Sequence, residues 1–114
     1  MTHWLIPGIV CAGLALLQPV ASAAMDEQLE SIRQLGRLNA VALHCQALKE
    51  TRRMKQALVL HLPRRRQLGE LFDSESHEAF LDFIKNNASC PGPGILSGQV
   101  TAAIAVLKQA YPRP

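Results

Sequence analysis

Apolar residues recur every three or four positions through most of this chain, and no long run alternates apolar and polar residues. A spacing of three or four places apolar side chains on one face of an α-helix, whereas strict alternation indicates a strand. The clearest case is the last segment, which stops before Pro112 and has its apolar residues at Leu96, Val100, Ala103, Ile104, Leu107 and Tyr111. The pattern therefore predicts an all-α fold.

We predict a bundle of four helices. Apolar positions stay in phase from Asp26 to Leu62, but one helix of that length would be about 55 Å long. A domain of this size is more compact than that, so we predict a break around Lys49–Arg53. Pro63 fits the first turn of the third helix. A polar run at 73–76 is either one exposed turn of that helix or a break that makes five helices.

Three smaller features refine this assignment. Asp26 and Glu27 suit the first turn of the first helix, where acidic groups oppose the positive end of the helix dipole. Gly36 lies in the apolar stripe and costs about 1 kcal/mol of helix propensity relative to alanine, so we expect another helix to approach closely there. Residues 86–94 are rich in Asn, Pro and Gly and are predicted to be the loop before the last helix.

Residues 1–23 have the pattern of a cleaved export signal. An apolar core runs through Leu5–Leu17, and the small residues of Ala21–Ala23 form an A-x-A cleavage motif. The apolar stretch also approaches the ~20 residues that span a bilayer, and no Lys or Arg precedes it. An uncleaved anchor and a lipoprotein modified at Cys11 are therefore the alternatives. Cleavage leaves residues 24–114 as one helical domain in the periplasm or outside the cell.

Two cysteines, Cys45 and Cys90, remain after this cleavage. An even number of cysteines in an oxidising compartment indicates a disulfide. The bond would close a loop of about 46 residues and contribute about 4 kcal/mol in the chain-entropy model. That is a large share of the stability of a domain with a modest core. Paired thiolates for metal or redox chemistry are the alternative, but there is no C-x-x-C to favour them.

The charged residues all follow residue 23 and give the mature chain a net charge of +3. Acidic residues are concentrated between Glu70 and Glu78, and the basic residues form two short clusters. A basic patch of this size can favour an anionic partner or surface, although a solvated helix face is the more ordinary explanation. Nucleic acid is disfavoured, because no aromatic residues are interleaved with the arginines. The predicted partner-binding residues are Arg52, Arg53, Arg64, Arg65 and Arg66.

Candidate catalytic groups do not converge in the sequence. His44, His61 and His77 fall on different predicted helices, and none forms the i, i+4 pair that binds a metal. His61 lies on an apolar stripe and is expected to be a partly buried, hydrogen-bonded structural residue. The sequence therefore predicts no catalytic residue, metal site or cofactor.

Several short features occur together in this chain. They are a Leu-Gly pair in the first helix, a cysteine near its end, an arginine run, aromatic residues in the third helix, a second cysteine and a final amphipathic helix. The residues concerned are Leu35, Gly36, Cys45, Arg64, Arg65, Arg66, Phe72, Phe80, Cys90 and the helix ending near Tyr111. With the export signal, this combination resembles a family of small bacterial exported proteins of unknown function. The resemblance implies a helical fold and a disulfide, and no activity.

The leading hypothesis is a non-enzymatic envelope protein that binds another protein, as an inhibitor, an immunity protein or an accessory subunit does. Small size, a disulfide and the lack of convergent catalytic groups favour it. A periplasmic holdase chaperone, activated by histidine protonation, is the second hypothesis. A carrier of a small ligand, haem or metal in the bundle interior is the third. We expect no membrane contact other than through an uncleaved signal.

Overall fold

The computed structural model describes residues 20–113, which form four α-helices and no strand. The helices are α1 (Val20–His44), α2 (Leu48–His61), α3 (Arg66–Lys85) and α4 (Pro93–Ala110). The predicted all-α fold is confirmed. None of the helices described is long and apolar enough to cross a bilayer. Most of the predicted signal lies outside the described residues, and its cleavage motif falls in the first turn of α1, so the signal stays a prediction.

The central helix is α1, since α2, α3 and α4 all pack against it. Gln28, near the start of α1, donates a hydrogen bond from Nε2 to the carbonyl oxygen of Ala110 at the end of α4 (3.0 Å). These two helices therefore run antiparallel. α2 packs against both α1 and α4. The three helices α1, α2 and α4 thus enclose most of the core.

The remaining helix, α3, packs against α1 and runs parallel to it. Asn39 on α1 is hydrogen-bonded to Ser76 on α3, and further along both helices His44 contacts Phe83. Phe72 is the apolar side chain of α3 that is buried in the core. α3 is therefore an outer helix that covers one side of α1.

The core is built from the periodic apolar positions that the sequence marks. Its largest fully buried apolar side chains come from α1, α2 and α4 and are Ile32, Leu35, Met54, Leu96, Val100 and Leu107. The predicted face of the last helix is confirmed, because Ala103 and Tyr111 are buried beside them. Burying each large side chain contributes about 1.5–3 kcal/mol, which makes this cluster the main source of stability.

A close helix contact occurs at Gly36, as predicted. A Cβ atom added to Gly36 would lie 2.8 Å from Cβ of Glu75 and 3.1 Å from the carbonyl oxygen of Phe72. Both neighbouring atoms belong to α3 and cannot move without shifting that helix. Glycine is therefore required at this position by the approach of α3 to α1.

The break between the first two helices lies at residues 45–47, so the prediction of a break around Lys49–Arg53 was wrong. Gln46 has a φ of 59°, in the left-handed region, and the N–H of Ala47 donates to the carbonyl oxygen of Ala42 (2.7 Å). This is a Schellman motif, which usually has glycine at the left-handed position. This motif could not be predicted from the local pattern, because a glutamine occupies that position here.

The predicted start of the third helix was also wrong. Leu62 is extended, as is typical of a residue before proline, and Pro63 lies in the connection that follows. α3 begins at Arg66 instead. The polar run at 73–76 is continuous helix, so the five-helix alternative is wrong, and Ser76 within it is buried. The residues between α2 and α3 carry the chain to another side of α1, where α3 packs.

Two helix starts differ from expectation by a few residues. α1 begins at Val20, which places Asp26 and Glu27 in its second turn rather than its first. The loop before the last helix ends at Gly92, and Pro93 is the first residue of α4. Proline is favoured at that position because the N–H it lacks would have no partner within the helix.

The predicted disulfide joins Cys45 and Cys90, with an S–S distance of 2.02 Å and a Cα–Cα distance of 5.8 Å. Cys45 directly follows α1, and Cys90 lies in the loop that precedes α4. The bond therefore links the end of the central helix to the start of the last one. The sequence separation of 45 residues makes the covalent loop large enough to contain both α2 and α3.

Candidate binding cleft

A cleft lies between α2 and α3, because each packs against α1 while, within the described residues, no Cα atom of one lies within 8 Å of a Cα atom of the other. Its volume is about 470 Å³. α1 forms the floor, α2 one wall and α3 the other. The lining residues are Asn39, Leu43, Lys55, Asp73, Ser76, His77 and Phe80.

A second cavity of about 430 Å³ continues the first toward the connection between the two helices. It is lined by Leu58, Val59, Leu62, Pro63, Arg64, Arg65, Arg66 and Gly69. Val59 follows Lys55 by one helical turn, and Gly69 precedes Asp73 by one turn, so both cavities lie on the same faces of α2 and α3. We call the two together the α2–α3 cleft.

A buried polar pair lies on the floor of this cleft. Asn39, which is 3% exposed, donates from Nδ2 to Oγ of Ser76 (3.1 Å), and Ser76 Oγ donates to the carbonyl oxygen of Phe72 (2.8 Å). Asn39 Oδ1 is buried and has no hydrogen-bond partner among the described residues. Leaving such an atom unpaired costs about 1–3 kcal/mol.

Large apolar side chains are exposed on the helices that form the walls. On α2, Val59 is 85% exposed and Leu60 is 53% exposed. These two residues, with Lys55 and Gln56, border a further shallow cavity of about 420 Å³ on the outer side of α2. A single exposed apolar side chain is ordinary, but a group of them beside a cleft is typical of an interaction surface.

The five predicted binding arginines do not form one surface. Arg53 bridges α2 to α4, since it donates a hydrogen bond to Thr101 Oγ1 on α4 (2.7 Å). Its guanidinium also pairs with Glu50 Oε1 on α2 (2.5 Å). Arg52 is exposed near the start of α2. The three arginines at 64–66 line the cleft beyond the other end of that helix. The geometry therefore assigns Arg53 to stability and the 64–66 cluster to the cleft.

The three histidines lie in different environments. The ring of His44 lies 5.8 Å from that of Phe80 and 4.8 Å from that of Phe83, measured between centroids. His77 lines the cleft. The described residues contain no group of three His, Cys, Asp or Glu side chains that could hold a metal ion.

His61, in the last turn of α2, departs from its expected hydrogen-bonded state. It is partly buried, but its Nδ1 atom has no hydrogen-bond partner among the described residues. Burial lowers the pKa of His61, and the positive charges of Lys108 and Arg113 lower it further. The imidazole is therefore neutral at pH 7, and protonation would place a third positive charge among these groups.

No family model, curated protein or solved structure matches this chain. The resemblance to a family of small exported proteins therefore stays a prediction.

The residues that line the cleft were not among the predicted site residues, apart from the arginines at 64–66. Asn39 was a usable signal, since it is a polar residue beside Gly36 and Ala40 on the apolar side of α1. The sequence contains no comparable signal for His77 or Lys55. Their placement together depends on the separation between α2 and α3, which no local pattern records.

Proposed function

We propose that this protein is a small exported helical module that binds another protein through the α2–α3 cleft. The observation that carries the proposal is the uncovered cleft, with Val59 85% exposed at its edge. Apolar surface of this kind favours association because covering it contributes about 25 cal/mol per Å². The disulfide supports export, since such bonds form and persist in oxidising compartments.

Binding is favoured over catalysis by the hydrogen bonds on the cleft floor. Ser76 and His77 both line the cleft, and a serine beside a histidine is the pairing that nucleophilic catalysis uses. The hydroxyl of Ser76, however, donates to the carbonyl oxygen of Phe72 and not to an imidazole. The proton is therefore held by the backbone of α3, and the serine is not activated as a nucleophile.

A photo-crosslinking amino acid at Val59 tests this function in intact cells. We expect a specific crosslinked product with one envelope protein, visible as a defined mass shift. Ile95 is the matched control position, because it is an apolar residue that is 62% exposed on α4, outside the residues that line the cleft. No product at Val59, or the same products at both positions, would refute the binding function.

An acid-activated holdase chaperone is the second candidate, and the environment of His61 favours it. Protonation below neutral pH would give His61 a positive charge, which Lys108 on α4 and Arg113 would repel. This repulsion would loosen the packing of α2 on α4. That movement would expose apolar side chains such as Ala57 and Leu58, which are buried at neutral pH. A protein that exposes apolar surface in this way can hold unfolded clients.

Aggregation of a reporter enzyme, heat-denatured citrate synthase, separates this candidate from the first. A holdase suppresses aggregation at pH 5 and not at pH 7, and His61→Gln abolishes the suppression at pH 5. Absence of suppression at both pH values rules the chaperone out and leaves the binding proposal unaffected.

A further inference from the structure

We propose that the α2–α3 cleft binds an amphipathic helix of a partner protein, with the acidic residues of that helix placed against Arg64, Arg65 and Arg66. The inference rests on the proposed binding function and adds the class of partner to it. It follows from the shape of the cleft, the order of charge along it and the position of its apolar surface.

The shape of the cleft matches a helix. Its walls are two helices that pack on α1 with their Cα atoms more than 8 Å apart in the described residues, which leaves a trough between them. The lined part of α3 runs from Arg66 to Phe80, about 21 Å, or four turns of helix. An amphipathic helix placed in such a trough contacts both walls and the floor through residues at i, i+3, i+4 and i+7.

The charge is concentrated at one end of the cleft. The three arginines at 64–66 are exposed, and none of them pairs with an acidic group in the described part of the chain. α3 begins at Arg66, so the positive end of its dipole lies at the same place. Its N-cap, Arg65, forms no side-chain hydrogen bond to the first turn. This end of the cleft therefore attracts carboxylates.

The opposite end carries less net charge and has a mixed polar and apolar lining. Leu43, which is 41% exposed, and Phe80 line it, and the adjoining exposed residues on α3 are Leu81 and Ile84. Lys55 and Asp73 lie between the two ends and carry opposite charges. A partner helix therefore needs acidic residues in one terminal turn only, with its apolar stripe extending away from them.

A synthetic stapled helix of about four turns is a suitable probe for the mature protein, carrying leucines at i, i+3, i+4 and i+7. One version has glutamates in its first turn and another has them in its last turn, because the direction of the bound helix is not specified by the charges. Two further versions replace the glutamates with lysines or the leucines with serines. Fluorescence anisotropy measures the Kd of each labelled peptide.

We expect one of the two glutamate versions to bind and the lysine and serine versions to bind at least tenfold more weakly. Reversal of all three arginines, R64E with R65E and R66E, should weaken the glutamate peptide about tenfold and strengthen the lysine peptide. The charge-reversal control is Lys49→Glu with Arg52→Glu, two exposed residues at the far end of α2, and its test counterpart is the double reversal R64E with R65E. Val59→Asp should also weaken binding, whereas Ile95→Asp should not.

Two results would overturn the inference. The first is equal binding of the glutamate and lysine peptides, or an equal loss in the control variant, because then no acidic end is recognised at residues 64–66. The second is binding to vesicles of anionic lipid that the arginine reversal abolishes while neither glutamate peptide binds, which would assign the cluster to a membrane surface. A crosslink from Val59 to an envelope protein, with no preference for acidic peptides, would retain the proposed function and refute this inference alone.

Discussion

Gly36 on α1 lies against Glu75 on α3 so closely that a Cβ atom at residue 36 would be 2.8 Å from Cβ of Glu75. The carboxylate of the same glutamate extends past this contact and pairs with Arg37 (3.2 Å). The backbone contact and the ion pair together fix the position of α3 along α1, and hence the position of one wall of the cleft.

Gly36→Ala should therefore destabilise the protein, although alanine is the better helix former. The propensity gain is about 1 kcal/mol, but α3 must move away, and overpacking of this kind costs about 1–3 kcal/mol. We expect a net loss of up to about 2 kcal/mol in the free energy of unfolding, measured by urea denaturation. Gly98→Ala is the control, because nothing lies within 4 Å of its added Cβ, and it should stabilise α4 by about 0.5–1 kcal/mol.

Gln46→Gly should stabilise the turn after α1. A left-handed conformation costs a residue other than glycine roughly 1–2 kcal/mol, and glycine removes this cost. Part of the gain is offset by the greater entropy of glycine in the unfolded chain. The expected net gain is about 0.5–1 kcal/mol, seen as a higher Tm. Gln56→Gly, at an exposed site within α2, should lower the Tm, and a lower Tm in both variants would contradict the assigned backbone conformation.

Arg53→Ala should cost about 2 kcal/mol, because it removes the bridge to Thr101 and leaves the carboxylate of Glu50, a buried residue, without its partner. Arg52→Ala, one residue away and exposed, should change the stability by less than about 0.5 kcal/mol. Chemical denaturation of the two variants side by side makes the comparison. Similar losses in both would show that Arg53 is not the bridge described here.

His61 should make the protein less stable in acid. Its pKa in the folded state lies below the unfolded value of about 6.5, so the unfolded chain binds the proton more readily. Stability is therefore lost as the pH falls below about 6.5 and becomes constant again below the folded pKa.

The variant His61→Gln isolates this effect. The difference in unfolding free energy between wild type and His61→Gln should be constant above pH 7 and should change in favour of the variant as the pH falls. A difference that does not change between pH 7 and pH 5 would contradict the assigned pKa direction.

Reduction of the Cys45–Cys90 bond should lower the stability by about 4 kcal/mol, according to the chain-entropy model for a loop of this size. Denaturation with and without a reducing agent measures the loss, and the Cys45→Ser, Cys90→Ser double variant provides the comparison. An unchanged midpoint on reduction would show that the bond does not form in solution.

The parts of this fold that depend on local pattern could be predicted from the sequence. The stripe from Leu96 to Tyr111 marked the buried face of α4, and Gly36 marked the close contact with a second helix. The end of α1 could not be predicted, because the left-handed residue is Gln46 and not a glycine. Sequence reasoning also grouped Arg53 with the partner-binding residues, since its bonds to α4 join positions that are 48 residues apart.

The cleft is harder to predict because it is defined by a contact that is missing. Periodicity shows which face of a helix is apolar, but not which of several helices will cover it. Lys55 and His77 face each other across the cleft only because α2 and α3 pack on different sides of α1. The packing of the whole core determines which side of α1 each helix occupies, and no single segment encodes it.

The disulfide has a topological consequence for the cleft. Both walls, α2 and α3, belong to one covalent ring that is closed by Cys45 and Cys90. A trypsin-like protease would cut the peptide bonds that follow the exposed arginines at 64–66. A cut there severs the backbone between the two walls but releases neither piece, because the ring becomes a two-chain molecule held by its sulfur bridge. Only reduction would then separate the halves of the cleft.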